Sequence, residues 1–97
     1  MTRTLFLTVS QPYFDEIKNG FKKFEYREYK RFWCERFIDG KDQPRDYDFI
    51  EIRNKYSWKK GDPRNIIRPW RGWVIEVISH GVFKNNPKKV FAIRLVE

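Results

Sequence analysis

The stretch Gly20-Phe21-Lys22-Lys23-Phe24-Glu25-Tyr26-Arg27 holds the residues best suited to chemistry. Lys22 to Tyr29 alternates charged and aromatic side chains and reads as a strand. Alternation places Lys23, Glu25 and Arg27 on one face, with Phe24 and Tyr26 on the other. A carboxylate and a guanidinium two residues apart divide acceptor and donor work. Glu25 accepts from amino or imino groups, and Arg27 donates to carbonyls or phosphate, which is the combination a base edge requires. Lys22 adds a cation where the strand begins. The same spacing also describes an ordinary ion pair on a solvated face. If the site is catalytic, Lys22 or Glu25 is the candidate general base.

A second group follows. From Arg53 to Arg71 there are seven basic residues and one acidic residue, Asp62, a local charge of +6 within a chain total of +8. Tyr56, Trp58 and Trp70 are interleaved with these cations. Basic side chains neutralise phosphates, and flat aromatics stack on unpaired bases at about 1–3 kcal/mol per base. In this reading Lys22 and Arg53 hold phosphate, Asn54 offers an amide to a base edge, and Tyr56 or Trp58 stacks. Trp58 suits binding and packing equally. Alternatively Trp70 and Trp73 are core anchors and the lysines a solvated rim; Trp73 opens an apolar strand and is assigned to the core. Trp33 either lines the cleft near Arg27 or caps the fold. His80, beside Gly81 with no nucleophile near it, reads as structural, and Cys34 reads as a buried thiol.

These residues must be positioned by one domain, because 97 residues leave no room for two. Aromatics supply 19% of the chain, which compensates for the modest core of so short a sequence. The basic excess favours polyanionic partners: nucleic acid, a nucleotide or an acidic surface. A single cysteine excludes an intramolecular disulfide, and one Cys with one His cannot form a standard zinc site. No metal or cofactor is implied. No secretory leader or membrane span is visible, so the expectation is a cytoplasmic protein with no membrane partner.

Periodicity outlines the scaffold. Thr4–Ser10 reads as a buried strand, and Ser10-Gln11-Pro12 starts a short helix that Asn19-Gly20 ends. In that helix Tyr13 and Ile17 share a face with Phe14 beside them, and Asp15 and Glu16 suit a first turn. Arg31–Ile38 is a short helix or turn, and Tyr47–Arg53 is the third strand. Asn54–Arg71 is a long loop or extended hairpin. Trp73–Ser79 and Val90–Val96 close the chain as strands. The expected fold is α+β, mostly β: a small, mostly antiparallel barrel of about five to six strands with one or two short helices, spanning residues 1–97 and hiding its edges by closure.

Gly20, Lys22, Glu25 and Arg27, in the pattern Gly-x-Lys-x-x-Glu-x-Arg after a strand and short helix, resemble the signature of ASCH domains, in the PUA-like group. The resemblance continues through Glu28, Tyr29 and Trp33, through Arg53-Asn54-Lys55-Tyr56-Ser57, and through Phe91-Ala92-Ile93-Arg94-Leu95. It covers nearly the whole chain and is similar to small bacterial and phage members. It implies a PUA-like barrel whose motif-lined cleft binds RNA, another single-stranded nucleic acid or a modified nucleotide. Some relatives are enzymes, with ribonuclease or acetylcytidine amidohydrolase activity, so the resemblance leaves catalysis open. The amidohydrolase branch is similar at Lys22 and Arg27. Its threonine nucleophile falls where this chain has Glu25, and its catalytic glutamate has no counterpart, which argues against that mechanism. Relatives usually have glycine where this chain has Lys55. A third reading is a phage-type protein-interaction factor. Oligomeric state is open.

Overall fold

The computed structural model describes residues 2–54, 59–79 and 86–96. Their elements are β1 (Thr4–Val9), α1 (Gln11–Lys18), β2 (Phe24–Glu28), α2 (Arg31–Phe37), β3 (Phe49–Asn54), β4 (Ile66–Pro69), β5 (Trp73–Ile78) and β6 (Lys88–Arg94). Strand pairing among the described residues gives two three-stranded sheets, ordered β1-β3-β4 and β2-β6-β5. The fold is α+β and mostly strand.

The pairing is mostly antiparallel, as the alternation implies, and no closed barrel is formed by the strand pairing among the described residues. In that pairing β1, β4, β2 and β5 lie at the sheet edges. Of the four pairings, β1 with β3 is parallel, and the other three are antiparallel. The parallel pair follows from connectivity: the chain runs through α1, β2 and α2 before β3, ample length for a crossover. β4 lies within the stretch that reads as a loop or hairpin, and it pairs antiparallel with β3.

Alternation on β1 puts Leu5, Leu7 and Val9 into the core, where Ile50 and Ile52 of β3 meet them. β6 is central in its sheet, and Val90, Phe91, Ala92 and Ile93 are fully buried on both its faces. β5 is equally apolar in sequence, but it lies at an edge; Val74 and Val77 are 54% and 69% exposed. An edge strand has one neighbour, so an apolar run there is not enclosed as a central strand's is.

Phe37 of α2 is fully buried and organises the aromatic side of the core. Its ring lies 4.7 Å from Phe91, 5.6 Å from Trp33 and 6.2 Å from Trp70, centroid to centroid. Trp73 meets Phe91 edge-on at 4.9 Å and packs against the core, as its sequence position implies. Cys34 is half-buried, not fully buried, and packs against the edge of this core.

α1 begins after Ser10, which occupies the N-cap position without a side-chain capping bond. It ends at Asn19, and Gly20 follows with φ +79°, a conformation in which a Cβ would be strained. The helix buries Phe14 and Ile17, while Tyr13 is 52% exposed and faces outward. Of the expected face, Phe14 and Ile17 form the buried i, i+3 stripe and Tyr13 falls outside it. Asp15 and Glu16 fall beyond the first turn, which has no acidic residue. Arg68 of β4 donates from Nη2 to the Ile17 carbonyl at 3.4 Å, placing positive charge at the helix C-terminus. No helix among the described residues is long and apolar enough to cross a membrane.

Candidate nucleic-acid interface

Glu25 and Arg27 are held by the register of β2 against β6. Glu25 pairs with Ile93 and Arg27 with Phe91, so their side chains share the face of those two core residues. The motif face is thus turned inward. Side-chain exposure is only 10% for Glu25 and 17% for Arg27, which separates this ion pair from one on a solvated face.

Arg27 Nη1 lies 3.2 Å from Glu25 Oε1 and also donates to the Tyr26 carbonyl at 3.0 Å. Nη2 donates to the Thr8 carbonyl of β1 at 3.0 Å, linking the inner face of one sheet to an edge strand of the other. The guanidinium carbon also stands 5.3 Å from the centroid of the Trp33 ring. Glu25 Oε1 accepts the Tyr26 backbone N–H at 3.0 Å. Both of these bonds among the described residues fall on Oε1, which leaves Oε2 to accept from a ligand.

Around the pair, Thr8, Val9, Ser10, Tyr13 and Trp33 complete a cleft of about 410 Å³. Its walls are the end of β1, the start of α1, the inner face of β2 and α2. Lys22 sits at its margin, with Nζ 5.2 Å from the Tyr13 ring centroid and 5.5 Å from that of Tyr26. Burial raises the Tyr26 hydroxyl above its ordinary pKa of 10.0, with Glu76 and Glu25 adding to the effect. Tyr26 is therefore a neutral hydroxyl at physiological pH.

The remaining sequence candidates divide. Asn54 is 2% exposed, and its Nδ2 donates to Gln11 Oε1, so it ties β3 to the start of α1 from beneath. Arg53 lines a second cleft, of about 500 Å³, together with Lys60 and Trp33. Tyr56, Trp58, Lys55 and His80 lie outside the described residues. Part of the basic stretch is structural. Arg64 pairs with Asp62 at 2.9 Å, and Arg68 serves the helix end.

Thr8, Ser10 and Tyr13 are cleft residues that the motif pattern does not single out. The signal for Thr8 is its place between buried Leu7 and Val9, which turns it outward. Tyr13 adjoins the buried Phe14 but lies off the stripe that Phe14 and Ile17 form. Another cleft of about 400 Å³, at Arg3, Asp39 and Arg45, has mixed charge and shares no residue with the motif. Among the described residues, no group of three or more His, Cys, Asp or Glu is placed to hold a metal ion. Comparison of the chain with models of protein families, with curated proteins and with solved structures gave no match.

Proposed function

We propose that the chain binds single-stranded nucleic acid, with RNA the expected polymer, and holds one nucleotide in the cleft at Glu25 and Arg27. The observation that carries the reading is the inward ion pair on the cleft floor, with the half-exposed Tyr13 ring and the Trp33 ring beside it. A base edge needs an acceptor and a donor at fixed spacing, and flat rings beside them give stacking surface. Lys22 at the margin and Arg53 beyond Thr8 supply charge for phosphate.

The resemblance of Gly20, Lys22, Glu25 and Arg27 to the ASCH signature supports the same reading. In that view the two sheets correspond to the halves of a PUA-like barrel, and the protein works in the cytoplasm.

The test is titration of short RNA and DNA strands against wild type, Arg27→Ala and Arg27→Lys at low and moderate salt. We expect salt-sensitive binding, with Arg27→Ala weakening it by about 1–3 kcal/mol. Lysine lacks the planar fork and should rescue charge but not selectivity. Binding that ignores both substitutions would refute the assignment of the cleft. Product formation from RNA or an acylated nucleoside, lost in Glu25→Gln while binding persists, would instead establish a hydrolase in the same cleft.

A further inference from the structure

The Glu25–Arg27 cleft and the second cleft share Thr8 and Trp33, so they adjoin across the end of β1. The second cleft has a composition of its own. Among the described residues, Arg36, Arg53 and Lys60 line it and no acidic residue does, although 13 of the chain's residues are Asp or Glu. Its apolar surface is aromatic: Phe32 is 50% exposed and Phe6 38% exposed.

Cations and rings alternate there in a fixed arrangement. The Arg36 guanidinium carbon lies 3.5 Å from the Phe32 ring centroid, and Nη1 donates to the Phe32 carbonyl at 2.8 Å. Lys60 Nζ stands 4.3 Å from the Phe6 centroid. The Lys60 backbone is brought over β1 by a buried carboxylate, since Glu51 Oε2 accepts from the Gly61 N–H at 2.7 Å and from Asn65 Nδ2 at 2.9 Å. A buried glutamate with both partners on one turn is a positioning device for that turn.

We infer that the two clefts form one track, and that the ligand is an oligonucleotide whose chain continues from the motif cleft past Thr8 into the Arg36–Lys60 cleft. This rests on the reading that the motif cleft holds a nucleotide. Thr4 to Thr8 along β1 spans roughly 13 Å, which exceeds one nucleotide and accommodates a short oligonucleotide. Phosphates meet Arg53, Lys60 and Arg36 in turn, and Phe6 and Phe32 offer ring surface to unpaired bases. A lining of cations without carboxylates favours a polyanion over a protein segment of mixed charge.

The test compares uridine monophosphate with a uridylate dinucleotide, tetranucleotide and octanucleotide, by competition against a labelled strand. Wild type, Lys60→Ala and Arg36→Ala are measured, with circular dichroism to confirm that each is folded. We expect the tetranucleotide to bind wild type about tenfold or more tightly than the monophosphate. Each substitution should remove most of that gain, leave monophosphate affinity unchanged and lower the salt slope by about 0.7 for each phosphate no longer neutralised. If Arg36→Ala unfolds, Lys60→Ala carries the test alone, because Lys60 is exposed. Monophosphate binding with no gain on lengthening would overturn the track and leave the motif cleft standing. A gain that both substitutions leave intact would also overturn it. Failure of every ligand to bind would overturn both readings.

Discussion

Removing Arg27 should cost more than removing Glu25, and the asymmetry can be worked out from their partners. With Arg27→Ala, Glu25, 7% exposed in the intact chain, loses its counter-charge and keeps the Tyr26 N–H as its one polar partner among the described residues. Breaking a buried pair in this way costs about 3–5 kcal/mol, because a desolvated charge is left behind. With Glu25→Ala, the guanidinium keeps the Tyr26 and Thr8 carbonyls, each at 3.0 Å, and the face of Trp33. The loss is then near that of one charged hydrogen bond, about 1.5–3 kcal/mol. The double substitution removes the stranded charge, so it should cost no more than Arg27→Ala alone. The resulting coupling is at least the Glu25→Ala loss, about 1.5–3 kcal/mol. Urea unfolding followed by tryptophan fluorescence measures all four proteins, provided the slopes agree. Additive single losses, within about 0.5 kcal/mol, would refute the coupled-pair reasoning. Equal losses for the two single substitutions would refute the asymmetry.

Phe37→Ala should destabilise by about 3–5 kcal/mol, since the ring is fully buried against four other aromatics; a shift in the urea midpoint smaller than that of a typical surface substitution would contradict its central place. Glu51→Ala should cost about 2–4 kcal/mol and expose the Gly61 amide to hydrogen exchange, as the turn loses its buried acceptor. Retained protection at Gly61 would show that the turn is held otherwise. The backbone N–H groups of Gln43 and Lys41 hold the Asp39 carboxyl below its ordinary value of 3.8. Its folded pKa is depressed, so this contribution is present above 3.8 and is lost as pH falls through the lower folded value. Amide exchange at Lys41 and Gln43 should accelerate in that acid window, and Asp39→Asn should flatten the response. Unchanged exchange would count against the bonds.

Local patterns in the chain are enough for most elements. Leu5, Leu7 and Val9 alternate, so β1 and its buried face follow from period alone. Gln11-Pro12 and Asn19-Gly20 bracket α1, because proline and positive-φ glycine act on the backbone within a few bonds. Glu25 and Arg27 are legible as one face of a strand for the same reason.

What local pattern does not decide is which side of a strand meets another strand. The run Trp73–Ile78 looks as apolar as Val90–Ile93, yet only β6 has neighbours on both sides. Tyr13 separates from Phe14 and Ile17 only once the helix is laid on β3. Asn54, a candidate for base recognition, is buried beneath α1. Phe6, the Phe32–Arg36 turn of α2 and Lys60 are far apart in sequence, and the fold brings them to one groove. Side-chain period is set by bonds along the chain and can be read from it. Juxtaposition is set by which sheet edges and helices close on one another, and that depends on long-range packing that no single segment encodes.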